Sequence, residues 1–357
     1  MIYLLTFGAS SIFVALYKKR DNVIWGMLAV LLLTLLAAYR GHNVGTDTSS
    51  YIRLMRLASN CNYVHYINYG IEHGLELGYM SMSFLASRFQ HGERWLFFFC
   101  ALITNTYMFR GIENVHRRNA NMNVALMWMM YCLMFYNITL NNMRQFIGVA
   151  ICFWVFSDVN KLSLRKLLIA SLLAFLFHYS AVLILLPYCM FKVSRINKTR
   201  ETDIGISLCL SLIVILIPYI SRIMVSSISL LQRYRSFEKR MEIEWFGNMW
   251  TMFLRTVFIV IFFLSLKNEI NENKKFLMYI AVVDLAFSIG FSMFMYRVEC
   301  FFSVFECIYA VEGVQIFGVN KSSKRIAEVL ICILCFIFWY VKVVVNNLNE
   351  TFPYVFS

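Results

Sequence analysis

Proline and charged residues are scarce in this sequence. Only three of the 357 residues are proline and 15% are charged, whereas 60% are hydrophobic and the mean hydropathy is +0.64. Soluble globular domains carry about 25% charged residues, so this composition excludes an ordinary soluble domain. It predicts an all-α polytopic integral membrane protein.

Other absences limit the chemistry and the partners. The sequence has no DxD motif to hold a divalent cation, so we expect metal-independent chemistry and no cofactor. The ten cysteines lie mostly inside apolar segments, where free thiols behave as small buried hydrophobes. The net charge is +13, but the positive residues lie in short loops between apolar runs, as membrane orientation requires. We therefore expect a lipid bilayer as the partner and no nucleic acid.

Apolar runs of about the length of a bilayer crossing, roughly 17–25 residues, recur along the whole chain. They predict twelve spans (eleven to thirteen) with both termini external, in one membrane domain over residues 1–357. External loops are expected at 40–94 and 226–249. The predicted spans are 2–17, 23–39, 95–109, 122–138, 146–159, two within 162–191, 204–225, 250–266, 276–295, 301–319 and 326–345.

Two segments have lengths that do not fit a single crossing, and how they are counted decides on which side of the membrane the later loops lie. Residues 77–89 are too short for a crossing, and counting them as one would place the later basic loops outside, so we expect a re-entrant or interfacial piece. Residues 162–191 would form one helix of about 45 Å at 1.5 Å per residue, too long for a single crossing. We expect two short spans that turn externally around His178, Tyr179 and Ser180.

Arginine dominates the positive charge of the external side. A planar five-donor fork favours arginine where phosphate or carboxylate must be held bidentately, so the asymmetry favours a phosphate-bearing ligand. Snorkelling at the membrane interface is the alternative, above all for Arg88 and Arg94. The external loops contain one lysine, Lys239, and ten arginines: Arg40, Arg53, Arg56, Arg88, Arg94, Arg144, Arg233, Arg235, Arg240 and Arg297.

The segment from Arg40 to Thr48 directly follows a predicted span. Gly45 permits backbone conformations that other residues avoid. Asp47 has two interpretations. It could cap a helix that begins near Ser49, or it could serve beside Arg40 as a base or as a ligand for sugar hydroxyls.

Three further polar sites are expected on the same face: Arg144-Gln145, His178, and Arg297 with Glu299. His178 lies where two short spans turn, which favours a water-accessible cavity. Arg144 interrupts an apolar stretch, and an arginine at the centre of a span would cost about 2.5–3.5 kcal/mol. A polar cavity or an anionic ligand would remove that cost.

These motifs resemble the EpsG-like branch of the Wzy polysaccharide polymerases, from about residue 39 to 354. The sequence departs from the family pattern at Gly148-Val149, and Glu299 has no family role that we can assign. The matching pieces are Arg40…Val44-Gly45-Thr46-Asp47-Thr48…Tyr51, Glu76-Leu77-Gly78-Tyr79, Asn142-Met143-Arg144-Gln145-Phe146-Ile147, Phe177-His178-Tyr179-Ser180-Ala181, Tyr296-Arg297 and Phe352-Pro353-Tyr354.

The resemblance implies a GT-C-like glycosyltransferase architecture in the bacterial inner membrane, with an active site facing the periplasm. Such enzymes move a growing glycan from undecaprenyl diphosphate to the non-reducing end of a new lipid-linked repeat unit. The product is an O-antigen, a capsule or an exopolysaccharide. The implied partners are the undecaprenyl-diphosphate-linked oligosaccharide and a chain-length regulator protein.

The resemblance also implies roles for individual residues. Arg144 and Arg297 would clamp the diphosphate, and Arg40 would assist them or orient Asp47. Asp47 or His178 would be the base, and we favour Asp47, with His178 on phosphate or acceptor. The further residues expected to bind substrate are Gly45, Thr46, Tyr51, Glu76, Gln145, Tyr179, Arg233, Arg235 and Glu299.

Two other functions remain open at this point. A different membrane glycosyltransferase or an O-antigen ligase would share the architecture, but loss of a ligase strands full chains on the lipid carrier. A lipid-linked oligosaccharide flippase would also need arginines for phosphate. A transporter is expected to have ionisable residues at mid-membrane and spans broken by proline or glycine. Prolines are scarce here, and the charges are expected to collect on one face.

Overall fold

The computed structural model describes residues 1–196, 200–227, 244–245, 249–266, 270–291, 295–318 and 320–357. Contacts divide the chain into two compact units, each described by itself below. The first unit contains residues 1–182 and 328–357, and the second contains residues 183–327. One membrane domain for the whole chain stays a prediction.

Helices account for nearly all of the described structure. Short 3₁₀ turns lie at Val159–Lys161, Tyr179–Ile184, Val314–Phe317 and Leu348–Glu350, and a π-helix lies at Tyr340–Val345. The α-helices are α1 Ile2–Arg20, α2 Val23–Ala38, α3 Thr48–Ser59, α4 Tyr63–Glu72, α5 Leu77–Ala86, α6 Gly92–Arg118, α7 Val124–Met134, α8 Tyr136–Asn141, α9 Met143–Phe156, α10 Leu164–Phe175, α11 Leu185–Ile196, α12 Arg200–Ser227, α13 Met249–Ser265, α14 Glu272–Ile289, α15 Tyr296–Ser303, α16 Glu306–Gly313 and α17 Lys321–Trp339.

Three described helices are long and apolar enough to cross a membrane: Gly92–Arg118, Tyr179–Ile196 and Lys321–Val345. A fourth appears if the pair Tyr296–Ser303 and Glu306–Phe317, bent by 41°, is counted as one span. Six shorter apolar helices accompany them. The chain is therefore a helical, membrane-embedded protein, whereas twelve spans and external termini stay predictions.

The helix boundaries test the predictions for the two segments of unusual length, 77–89 and 162–191. Residues 77–89 contain only the ten-residue helix α5, about 15 Å long and too short to cross about 30 Å of hydrocarbon. The stretch 162–191 is interrupted as predicted, because α10 ends at Phe175 and the next helical turn begins at Tyr179. The break next to His178 is confirmed, and its side of the membrane stays a prediction.

One predicted span has a different form. The stretch 122–138 is not one helix, because the chain kinks at Phe135 between α7 and α8. Hydrogen bonds to other segments hold the residues after the kink. The Tyr136 hydroxyl donates to the Leu33 carbonyl at 2.6 Å, and the Asn137 side chain contacts both Thr351 and Trp339. The kink separates α7 from the short helix α8, which ends at Asn141.

The core of the first unit forms where α6 packs against α2 and α9, with α1 on α2 and α7. Gly26 and Gly111 allow the close approaches, since a Cβ on either would collide with Phe109 or Phe153. Several buried polar side chains of this core are paired, as a membrane interior requires. The Trp128 indole donates to Ser10 at 2.7 Å, for example.

In the second unit, α13 packs against α14 and α16, and α11 and α12 pack against α14. Two short strands, β1 at Glu244–Trp245 and β2 at Gly290–Phe291, pair in antiparallel register. The predicted external loop 226–249 lies largely outside the described residues. Its functional contribution therefore stays a prediction.

Candidate functional site

The polar loop of residues 40–47, here called the Asp47 loop, is held by a distant segment. Residues 346–357, here called the strap, accept backbone hydrogen bonds from three of its amides. Gly41 donates to Val355 at 2.6 Å, Gly45 to Glu350 at 2.9 Å and Thr46 to Asn349 at 3.0 Å. Gly45 has a φ of +104°, a conformation that favours glycine. The loop is thus fixed through its backbone, which leaves the Asp47 carboxylate available.

Asn141, at the end of α8, joins the Asp47 loop to the rest of the first unit. Its side-chain oxygen accepts hydrogen bonds from the Thr46 hydroxyl and from the Asp47 amide, both at 2.8 Å. Its amide nitrogen donates to Asn349 of the strap at 3.4 Å, and its backbone carbonyl accepts from the Tyr51 hydroxyl at 2.9 Å. Asn141 is buried. The sequence reasoning did not select it, although a polar pair between two apolar helices is a signal for such a position.

Asp47 precedes α3, but its side chain does not cap the helix. The capping interpretation is therefore wrong, even though the helix starts at Thr48, close to the expected position. The Asp47 side chain is half-buried, and no other side chain of the described residues forms an ion pair or hydrogen bond with its carboxylate. A carboxylate that is fixed in position but has no partner can accept a proton or a sugar hydroxyl.

Arg144, at the start of α9, forms an ion pair with Glu76. The Arg144 Nη1 lies 2.5 Å from the Glu76 Oε2, and the exposed fractions of the two side chains are 22% and 4%. The guanidinium also lies 5.1 Å from the centre of the Tyr79 ring. Its Nε has no hydrogen-bond partner among the described residues. Arg144 therefore keeps donors for an anion beyond the one that Glu76 occupies.

Glu76 connects Arg144 to the break before Tyr179. Its second oxygen, Oε1, accepts the backbone amide of Tyr179 at 3.2 Å. One buried carboxylate therefore positions the arginine and the turn that carries His178. The predicted substrate-binding role of Glu76 stays a prediction, and its contacts give it the role of a positioning residue.

His178 has a defined hydrogen-bond arrangement. Its Nδ1 accepts the Ser180 amide at 3.1 Å and lies 2.7 Å from the Ser180 hydroxyl. A ring nitrogen that accepts an amide carries no proton, so the neutral imidazole carries its proton on Nε2. His178 is therefore arranged to donate a hydrogen bond from Nε2. This arrangement suits contact with phosphate better than removal of a proton.

Tyr51 links two charged side chains, those of Arg144 and Asp47, in one network. Its side chain is buried, and this burial raises the pKa of the Tyr51 hydroxyl to about 12. Both Arg144 and Asp47 interact with it electrostatically. Asp47, Arg144, Glu76 and the turn at His178 therefore belong to one polar region of the first unit.

Arg40 occupies a different place from the one expected. It is 1% exposed, and its guanidinium donates to the Leu140 carbonyl at 2.6 Å and stacks 4.2 Å from the Phe97 ring centre. No carboxylate of the described residues pairs with it. Asn141, not Arg40, fixes Asp47. Two guanidinium nitrogens of Arg40 donate inside the protein and not to Asp47, and its predicted role in assisting the diphosphate ligands stays a prediction.

The remaining predicted residues of the first unit lie around this region. Gln145 is buried, Thr46 is bound to Asn141, and the exposed Tyr179 ring donates its hydroxyl to Leu75 at 3.2 Å. Arg88 and Arg94 donate to carbonyls of Ala58 and Ser357, so each has a structural contact. Arg233 and Arg235 lie outside the described residues.

Arg297 and Glu299 lie in α15, within the second unit. Arg297 is exposed, whereas Glu299 is buried and its Oε1 lies 2.6 Å from the Arg255 Nη2. A clamp that combines Arg144 with Arg297 stays a prediction. The substrate-binding role of Glu299 stays a prediction as well, and its carboxylate is occupied by an arginine that the sequence reasoning missed.

Arg255 belongs to a buried cluster with Asp284 and Glu306. This cluster lies inside the second unit, and the expectation that charged residues collect on one face of the membrane stays a prediction. Arg255 and Asp284 are each the single charged residue of a predicted apolar span, at 250–266 and 276–295, and Glu306 lies in the span 301–319 together with Glu312. A single ionisable residue in such a run was the signal that could have revealed the cluster. Within the described part of the chain, no group of three or more His, Cys, Asp or Glu residues is arranged to hold a metal ion.

Comparison with known protein families identifies the family of this chain. A model of the EpsG family matches residues 23–356, which include the Asp47 loop, Arg144, His178 and almost the whole strap. No curated protein and no solved structure matches the chain.

Proposed function

The chain belongs to the EpsG family, and we propose that it is a glycosyltransferase that polymerises lipid-linked oligosaccharide repeat units. The growing glycan would leave undecaprenyl diphosphate and join the non-reducing end of a new lipid-linked unit. The reaction would take place at the outer face of the bacterial inner membrane, in O-antigen or exopolysaccharide synthesis. Family membership and the helical membrane architecture support this proposal.

The observation that carries the proposal is that one polar region contains both the Asp47 carboxylate, which has no partner among the described residues, and the partly exposed Arg144 guanidinium. In the proposed reaction the acceptor hydroxyl oxygen forms a bond to the anomeric carbon, and the bond from that carbon to the diphosphate breaks. The electron pair leaves with the diphosphate, and the hydroxyl proton moves to a base. The reaction needs one group for the proton and others for the leaving charge.

Asp47 is the proposed base. The hydrogen bond from its amide to Asn141 and the backbone contacts of the strap fix its position, whereas its carboxylate accepts no bond within the described residues. A positioned base accelerates such a transfer by about 10²–10⁴-fold. His178 is less suited to this task because its Nδ1 is occupied by Ser180.

Arg144 is the proposed diphosphate ligand. Glu76 holds one of its nitrogens, and the Arg144 side chain stays 22% exposed, which leaves part of the guanidinium for phosphate oxygens. Each hydrogen bond to a charged group contributes about 1.5–3 kcal/mol, and the bonds strengthen as charge develops on the leaving group. His178 would add a donor from Nε2, and Arg297 is proposed as a second guanidinium ligand.

A lipid-linked oligosaccharide transporter is the second candidate, and one observation favours it. The buried cluster around Arg255 places ionisable groups inside predicted spans, as in membrane transporters. The two functions are distinguished by their products. A polymerase builds a ladder of lengths from lipid-linked units in detergent, whereas a transporter leaves every unit at its original length.

The experiment uses purified protein and synthetic diphospholipid-linked repeat units. The wild type should build a ladder, and Asp47→Asn and Arg144→Lys should build little, because the first loses the base and the second keeps the charge but loses the fork. Glu72→Gln and Arg53→Lys are matched controls, since both residues are exposed on neighbouring helices. A full ladder from Asp47→Asn would refute Asp47 as the base, and no ladder from the wild type would refute polymerisation.

A further inference from the structure

The second unit contains a buried cluster with more carboxylates than cations. Arg255 from α13 is surrounded by Asp284 from α14, Glu299 from α15 and Glu306 from α16. All four side chains are at most 7% exposed. Fully ionised, the cluster would carry two uncompensated negative charges in an apolar interior, at a cost of several kcal/mol per ion.

The contacts show which carboxylate the arginine neutralises. Glu299 lies 2.6 Å from Arg255 Nη2, the shortest of the ion-pair distances in the cluster. Asp284 and Glu306 approach the same nitrogen, Nε, at 3.4 Å and 2.8 Å. Nη1 is occupied by the Ser288 hydroxyl at 2.6 Å and by the Asp284 backbone carbonyl at 3.2 Å. One N–H thus serves two carboxyl groups.

Two oxygens of these carboxyl groups have no partner. Asp284 Oδ1 and Glu306 Oε2 are buried and accept no hydrogen bond within the described residues. The other oxygen of Asp284 accepts the Tyr309 hydroxyl at 2.8 Å. Both carboxyl groups approach the same Arg255 Nε, which brings them close to each other. A buried, unsatisfied carboxylate oxygen is costly, and a shared proton would satisfy the pair, as it does when two carboxylates occupy one site.

We infer that Asp284 and Glu306 together bind one exchangeable proton, which makes the pair a proton-binding site inside the second unit. A proton fits better than a metal ion, because no described group of acidic, His or Cys side chains has the arrangement of metal ligands. With the proton bound, Glu299 balances Arg255 and the pair carries a single negative charge near the guanidinium.

The surroundings of the pair are defined on each neighbouring element. The charged and titratable groups that face it are Arg255 from α13, Glu299 and Cys300 from α15, and Tyr309 from α16. Three ion pairs between α14 and helices that pack against it lie near the N-terminal end of α14, away from Asp284. Those pairs are Arg195–Glu272, Asp203–Lys275 and Glu312–Lys274.

The proton links the stability of this unit to pH. A carboxyl group that is protonated in the fold and ionised in the unfolded chain means that the folded state binds more protons. The free energy of unfolding then falls as pH rises. For one proton, the equilibrium constant for unfolding rises by up to about tenfold per pH unit.

Infrared spectroscopy of the full chain in detergent tests the proposal directly. At neutral pH the wild type should show the C=O stretch of a protonated carboxyl group that shifts in D₂O. Glu306→Gln or Asp284→Asn should remove that band and flatten the rise in the unfolding constant with pH. Glu299→Gln is the matched control, because it alters the same cluster at the ionised position and should retain the band.

Three results would overturn the proposal: a wild type without the band, a band that survives in both neutral variants, or a pH dependence that Glu306→Gln leaves unchanged. If the neutral variants do not fold, Asp284→Glu and Glu306→Asp keep both carboxyl groups. At least one of them should shift the frequency of the band, and a band unmoved in both would also refute proton sharing.

Discussion

The side-chain oxygen of Asn141 accepts the backbone amide of Asp47 at 2.8 Å, although 94 residues separate them in the sequence. The same oxygen binds the Thr46 hydroxyl. Substituting Asn141 by alanine should therefore displace the proposed base without removing it. A misplacement of about 1 Å can cost about 100-fold in rate, so Asn141→Ala should reduce the polymerisation rate by about that factor while substrate binding changes less.

Steady-state kinetics on lipid-linked units would measure this effect. Asn142→Ala is the matched control, because the neighbouring side chain forms no hydrogen bond within the described residues. Equal losses from both variants would show that the region tolerates no change, and would remove the support for a specific role of Asn141.

Deleting the strap should release the Asp47 loop. Residues 346–357 accept the amides of Gly41, Gly45 and Thr46, so their loss leaves three donors of the loop to solvent. Hydrogen exchange at residues 41–46 should accelerate, and polymer formation should be lost. Val355→Ala is the control, since its exposed side chain is removed but its backbone carbonyl remains. Unchanged exchange after the deletion would contradict a holding role for the strap.

Removing Glu76 should destabilise the first unit. Its carboxylate is nearly buried between Arg144 and the Tyr179 amide, and breaking a buried ion pair by removing one partner costs about 3 kcal/mol. Thermal unfolding of Glu76→Ala would reveal the loss, with the exposed Glu72→Ala as reference. An unchanged unfolding temperature would mean that Arg144 finds another anion or sits in water.

Tyr51→Phe should reduce activity without altering its pH profile. Burial raises the pKa of Tyr51 to about 12, so the hydroxyl is uncharged throughout the working range and donates to the Asn141 carbonyl. Because its pKa is raised, the Tyr51 hydroxyl stays protonated at pH values below about 12. The rate ratio of wild type to variant should be the same at about pH 6 and about pH 9. A ratio that changes between them would show that Tyr51 titrates.

Segment lengths and short polar motifs predicted several features correctly. The break near His178 and the short helix α5 followed from the length of a bilayer crossing, because a helix rises a fixed distance per residue. Arg144 stood out in the sequence because it interrupts an apolar stretch, and the structure gives it a buried carboxylate partner, which explains how that position is tolerated.

The sequence could not predict contacts between distant segments. The burial of Arg40 depends on Phe97 and on the Leu140 carbonyl, 100 residues away along the chain. Arg255 looked like a lone charge in an apolar run, since hydropathy averages over many residues and conceals a partner on another helix. Pairing across helices decides which charges are buried, and one sequence without its relatives does not reveal that pairing.

The strap has a consequence for how the protein is made. Glu350 is translated about 300 residues after Gly45, its hydrogen-bond partner. At roughly 5–20 residues per second, the ribosome needs about 15–60 seconds to cover that distance. During that interval the nascent chain presents the Asp47 loop without the backbone that later fastens it. Premature termination before residue 349 would therefore yield inserted helices with an unsecured carboxylate, a product that resembles the finished protein in the membrane but lacks its assembled centre.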